Sequence, residues 1–329
     1  MSLGEISQLL AWGATTAYAI ALVAFAMDLA RLADRMGVER ARAGRSVLAT
    51  AGAPGVPPAA DDAPDAPAAV LASRTRAVGI AMATTTAGFG LHLAAAVTRG
   101  LAAGRVPWAN MYEFALVGAL VAVGVFLGLC RRRDLRFLGT IVVGIAVLAL
   151  GVGLAVFYTP ASAVEPALQS YWLVIHVSIA IVATGLFAVS FATSVLHLLK
   201  DSRAAGSPRL AGERWRALDV LPSTRELEAL SFRVTAVGFV LWTFTVMAGA
   251  VWAEHTWGRY WGWDPKEVWS FVVWVVYAAY LHARTTRGWS GRRAAWFVVV
   301  GFATVVFNFT GVNLFFQGLH DYGGVPGGS

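Results

Sequence analysis

The chain has 329 residues, 57% hydrophobic and 14% charged, with a mean hydropathy of +0.63, a balance that excludes a water-soluble globule and points to a membrane protein. A net charge of +7 would suit nucleic acid, but Arg clusters beside apolar runs set topology against an anionic inner leaflet, so nucleic acid is not an expected partner. The single cysteine, Cys130, excludes a disulfide framework, a thiolate cluster and a CxxCH attachment motif.

A bilayer core takes about 20 apolar residues per helix. Eight such segments are predicted, near 6–30, 77–98, 109–130, 137–158, 171–196, 232–253, 267–284 and 294–316. The chain therefore reads as an all-α polytopic membrane protein with about eight transmembrane helices. The first segment is too long for a signal-peptide core and lacks a basic leader, so 1–32 reads as a retained anchor. Loops after spans one, three, five and seven hold 22 of the 26 Lys and Arg residues. By the positive-inside rule these loops are cytoplasmic and both termini face outward, in a multi-pass protein of the plasma membrane.

Residues 33–76 include the run AGAPGVPPAADDAPDAPAA, which has too little apolar surface to pack and is expected as a flexible cytoplasmic linker. Spans two to five follow over 77–199. His92, in span two, reads as a packed polar residue. Asn110 is expected to cap span three, with Glu113 just inside the outer boundary, touching the tryptophan loop described next, a partner or solvent. In the inner loop 200–231, Ser223 stands three before Glu226, the spacing of a capping box, which predicts a short amphipathic helix along the inner surface.

The last region, 232–329, contains TWGRYWGWDPKEVWS at 256–270. Asp264, Pro265 and Glu267 read as the start of span seven with its own acidic cap. In the extended segment before it, Trp261 and Trp263 are expected to share a face, with no side chain on Gly262 to hold off a planar ligand. Trp252, Trp257, Trp261, Trp263, Trp269 and Trp274 bring six of thirteen tryptophans to one outer loop and its flanks. An interfacial belt scatters its indoles over many span ends, so this crowding favours a ligand platform.

Ionisable side chains at membrane depth are functional candidates. His176 is expected about 8 Å inside the outer end of span five and His320 just beyond span eight, both near the tryptophan level. Two neutral imidazoles beside a flat aromatic surface are what axial ligation of haem iron requires. Arg259 and Lys266, within the tryptophan motif, could meet the propionates. His282 falls about 22 Å deeper, near the cytoplasmic face, which suggests a second haem position. His197 and His255 are given no role.

With these residues the chain, from about 105 to 323, resembles the haem-handling membrane proteins of System II cytochrome c biogenesis, the CcsA/ResC type, also called CcsB. The tryptophan-rich WWD domain of that family is similar to WGRYWGWDPKEVWS, within a WWD loop at 252–270. Its flanking histidines resemble His176 in WLVIHVS, His320 in GLHDYG and the deeper His282 in YLHAR. The resemblance implies that haem b is taken from the cytoplasmic side and held on the extracytoplasmic WWD surface, formed by Trp257, Trp261, Trp263, Asp264 and Trp269. His176, His320 and His282 would be iron ligands. There haem is presented to apocytochrome c CxxCH thiols. The implied partners are a ResB-type membrane protein, which completes the His282 site in trans, apocytochrome c and thiol-reducing proteins. GRVP at 104–107 departs from a GHxP pattern found in relatives, so Arg105 replaces a possible ligand there. No side chain stands out as nucleophile or general acid, so catalysis by the chain alone stays open, and a subunit of a cytochrome c synthase is expected. The competing reading is a b-type electron-transfer subunit that keeps its haems.

Overall fold

A computed structural model describes residues 1–50, 75–162 and 170–320. Helices account for all regular structure among them, as an apolar chain in lipid must satisfy its backbone hydrogen bonds within each segment. The principal helices are α1 (Leu3–Thr50), α2 (Arg76–Ala103), α3 (Met111–Cys130), α4 (Gly139–Val156), α5 (Tyr171–Ala204), α6 (Thr224–Trp257), α7 (Pro265–Thr286) and α8 (Arg292–Val306). The last runs on through a π turn, Phe307–Gly311, into Val312–Phe315.

Seven of the eight are long and apolar enough to cross a membrane. The remaining one, α7, has 22 residues but carries Lys266, Glu267, His282 and Arg284 at its ends, which lowers its apolarity. It packs against α6 and α8 all the same.

Side-chain caps fix where the helices begin. Thr75, Asn110 and Ser170 accept from the backbone N–H of Val78, Glu113 and Trp172, starting α2, α3 and α5. Full capping boxes, Ser223 with Glu226 and Asp264 with Glu267, start α6 and α7.

The helices pair as α1 with α2 and α5 with α6; α4 lies on α1 and α3, and α8 lies between α5 and α7. One core gathers Tyr18, Phe25, Leu116, Phe126, Val143 and Leu150. A second, shared by α5, α6, α7 and α8, centres on Phe187 of α5 stacked on Tyr277 of α7 at 3.9 Å. In lipid such interlocking supplies the association energy, because the surrounding tails are as apolar as the side chains.

Several expectations change. Helix α1 does not give way to a linker at residue 33 but continues to Thr50, 48 residues in all and about 72 Å long. Leu32, Ala33 and Met36 are buried against Val220 of a one-turn helix, Ala217–Val220, which holds the helix past residue 33. The Pro/Ala-rich run lies outside the described residues. Ser223 and Glu226 start no separate surface helix, since α6 runs unbroken from Thr224 for 34 residues. Glu113 touches neither the tryptophan loop nor solvent. It is fully buried, taking 2.8 Å and 2.6 Å ion pairs from Arg99 and Arg105.

His92 is buried as expected, its Nε2 2.7 Å from the Leu116 carbonyl and its Nδ1 3.2 Å from the Tyr18 hydroxyl.

Candidate functional site

His176 sits in the second turn of α5, facing α6. Its Nδ1 lies 2.9 Å from the carbonyl oxygen of Thr245. A carbonyl can only accept, so Nδ1 carries the proton and the lone pair is left on Nε2. This approach depends on Gly249, one turn further along α6. A Cβ there would lie 2.7 Å from Cε1 and 2.9 Å from Nδ1 of the imidazole.

His320 reaches the same region from the segment after α8, and Asp264 holds it. One carboxylate oxygen accepts from the Leu319 N–H at 2.6 Å; the other accepts from His320 Nδ1 at 2.8 Å and from the Lys266 N–H at 3.0 Å. The residue that caps α7 therefore also docks the C-terminal segment. Burial pushes the Asp264 carboxyl up, but the bond and charge of His320, with the two backbone N–H groups, hold it net below the usual carboxylate range. In the neutral ring, a carboxylate accepting from Nδ1 puts the lone pair of His320 on Nε2.

Aromatic rings join the two imidazoles. The buried Trp252 lies parallel to His176, at 7° with centroids 6.2 Å apart, and 5.7 Å from His320. Trp257 meets Trp252 at 4.9 Å and His320 at 5.1 Å, both edge to face. His176, His320, Trp252, Trp257 and Trp261 all line one cavity of about 480 Å³. That volume is in the range of small-molecule and cofactor sites.

The other expected residues fall differently. Lys266 lines the cavity but is tethered to the π turn, its Nζ donating at 2.8 Å to the Asn308 carbonyl and at 2.8 Å to Asn313 Oδ1. Arg259 turns onto its own loop, over Gly262 and 3.8 Å from Glu267, and is not on the cavity wall. Gly262 thus makes room for a guanidinium, not for a planar ligand. Trp261 and Trp263 meet edge to face at 87° and form no shared flat face. Trp263 has φ 61°, a left-handed value adopted by no other non-glycine residue among those described, and the residue is 76% exposed. Trp269 packs on Phe307 at 4.3 Å, bracing α7 against the π turn. His282 is exposed on α7, about 25 Å beyond Pro265 along the axis, and does not reach the cavity. His197 is buried with its Nδ1 on the Thr224 carbonyl, and His255 pairs with Glu254.

Sequence reasoning missed Thr245 and Gly249, which position His176, and did not single out Trp252 among the crowded tryptophans. It also passed over Asn308 and Asn313, and Arg105 as part of the wall. The available signal for the asparagines was two amide side chains inside an otherwise apolar span, 294–316.

The donor set fits a haem. Histidines that bind a metal almost always donate their second ring nitrogen to a carboxylate or carbonyl, and His320 and His176 show one of each. An indole-walled, largely apolar cavity suits the macrocycle.

A polytopic helical membrane protein with two oriented imidazoles facing an aromatic cavity is the class that this fold and site define. Residues 108–320 match the cytochrome c assembly protein family, and the chain belongs to it. The cytochrome c biogenesis protein CcsA of Synechococcus elongatus is 38% identical over 272 residues, covering 68% of this chain and 81% of that protein. CcsA of Prochlorococcus marinus is 35% identical over 251 residues, covering 70% and 80%. For CcsA of Chlamydomonas reinhardtii the figures are 36% over 228 residues, covering 67% of this chain and 62% of the longer algal protein. Among solved structures, the cytochrome c haem lyase CcmF shares the fold, with a TM-score of 0.62 at 18% identity, over 94% of this chain and 47% of CcmF. The chain's coarse role is therefore in cytochrome c biogenesis.

Proposed function

We propose that this chain carries haem b across the plasma membrane and presents it, from the cavity between His176 and His320, for covalent attachment to the CxxCH thiols of apocytochrome c. It acts as the CcsA-type subunit of a System II cytochrome c synthase, beside a ResB-type membrane protein and with thiol-reducing partners that keep the acceptor cysteines free. The tryptophan loop and both termini lie on the extracytoplasmic side, consistent with the concentration of Lys and Arg in the opposite loops.

One observation carries the reading. Two imidazoles from α5 and from beyond α8 line one aromatic cavity, each with Nδ1 tied to an acceptor. Haem, as the cargo, supplies iron for the two nitrogens and vinyl groups for the thiols. The protein's work is positional: Asp264 and Thr245 fix the ring orientations, and Trp252 and Trp257 wall the macrocycle. His282 marks a lower position on α7, where haem is first received and the second ligand comes from the partner.

Maturation of a reporter cytochrome in cells tests this. His176→Ala and His320→Ala should each abolish thioether formation, and added imidazole should restore part of it by filling the vacant axial position. Wild-type maturation in both variants would refute the reading. An electron-transfer subunit would lose its electron flow in these variants and leave attachment intact.

A further inference from the structure

The charges around the cavity divide unevenly between its walls. On the α7 side Lys266 and Glu267 line the cavity, and Asp264 and Arg259 stand in the same segment off its wall, two cations against two carboxylates. Arg259 Nη1 and Glu267 Oε1, each buried without a hydrogen bond among the described residues, lie 3.8 Å from each other as an ion pair. Lys266 is held by Asn308 and Asn313; Glu267 Oε2 accepts from the N–H of Gly262 at 2.8 Å and of Asp264 at 3.0 Å. That wall is close to neutral.

At the turn from α2 to α3, which gives Arg105 to the cavity lining, two guanidiniums share a single carboxylate. Arg99 and Glu113 are fully buried and the Arg105 side chain is 14% exposed, with Arg105 on the cavity wall beside Thr159 and Ser162. Glu113 answers one positive charge, and one is left over among the described residues. The rings of Tyr112 and Tyr158, 5.1 and 5.8 Å from the Arg99 guanidinium, offset part of it. Even so, Arg99 Nη1 is buried with no hydrogen-bond partner among the described residues. Arg105 donates from Nε to the Ser162 carbonyl at 3.0 Å, from Nη1 to Glu113 and the Val106 carbonyl, and from Nη2 to Glu113 at 3.3 Å. Its second Nη2 hydrogen is not used in these bonds. A buried excess charge is costly unless an anion completes it.

We propose that Arg105 receives a carboxylate of the bound porphyrin, with Glu113 and Arg99 fixing its guanidinium. The acidic edge of the porphyrin then lies toward the start of α3, and the opposite edge, which carries the vinyl groups in haem b, lies away from it. This rests on the reading that the cavity holds haem. Arg259 and Lys266, the cations nearest in sequence to the tryptophans, are not the carboxylate readers.

The test is titration of the purified full chain with ferric protoporphyrin IX and with its dimethyl ester, which lacks the two negative charges. Wild type should bind the free acid about tenfold more tightly, the scale of one charge-assisted hydrogen bond. Arg105→Gln should bring the two affinities within about twofold of each other, and Arg105→Lys, which keeps the charge but loses the fork, should fall between. Equal affinities in wild type, or an unchanged ratio in Arg105→Gln, would overturn the assignment, and if the Gln variant does not fold, an unchanged ratio in Arg105→Lys overturns it as well. If His176→Ala leaves the spectra of both complexes unchanged, the haem reading itself fails and the inference falls with it. A His176-dependent spectrum with an unchanged ratio removes only the role of Arg105.

Discussion

Asp264 accepts a hydrogen bond from His320 Nδ1 at 2.8 Å with the same carboxylate that caps the first turn of α7. The start of one helix and the aim of an imidazole 56 residues later are thereby one feature.

Asp264→Asn separates the two roles. Asn caps helices as well as Asp does, so α7 should start normally, but the neutral amide orients His320 less strongly. Haem affinity should fall about 10- to 100-fold with helix content by circular dichroism unchanged, and the amide nitrogen, which cannot accept from the Leu319 N–H, should also loosen the docking of the C-terminal segment. An unchanged affinity would show that His320 needs no carboxylate.

Gly249→Ala should strengthen α6 locally, since Ala is the better helix former by about 1 kcal/mol. Its methyl nevertheless falls within 3 Å of two His176 ring atoms. The variant should keep its helix content by circular dichroism and lose the two-imidazole absorption spectrum of bound haem. Retention of that spectrum would mean that His176 can aim elsewhere.

Trp257 and Trp263 stand in one motif but should behave differently. Trp257→Ala removes a wall that touches His320 and should weaken haem binding about two- to tenfold, the range of one aromatic contact. Trp263 points away from the cavity, so Trp263→Gly should leave affinity within about twofold and relax a left-handed backbone. Affinity measured by titration against both variants checks the contrast.

Lys266→Met removes the two hydrogen bonds that join α7 to the π turn. We expect a loss of about 1–3 kcal/mol, read as a lower thermal midpoint of the haem-free protein. If stability is unchanged and only haem affinity falls, Lys266 acts on the ligand and not on the fold.

Much of this was legible in the sequence because membrane helices announce themselves as long apolar runs, and caps as short local motifs. Asp264 with Glu267, and Ser223 with Glu226, do start helices. What escaped is what depends on distant pairing. The approach of His176 to Gly249 joins residues on two helices, and no local spacing encodes it. Glu113 looked like a boundary carboxylate because its partners, Arg99 and Arg105, become neighbours only when the turn after α2 folds back. Gly262 offers room for a ligand when only its missing side chain is considered, and in the fold that space is taken by Arg259. The left-handed backbone at Trp263 is set by the surrounding loop and contradicts the residue's own preference, so alternation along an extended strand misplaced its ring.

The claim that His176 and His320 hold one iron is tested most directly by electron paramagnetic resonance of the purified chain loaded with ferric haem. The account predicts a low-spin, two-imidazole signal that turns high-spin in either His176→Ala or His320→Ala, returns on adding imidazole, and survives in His282→Ala. A low-spin signal that persists unchanged in both of the first two variants would contradict it.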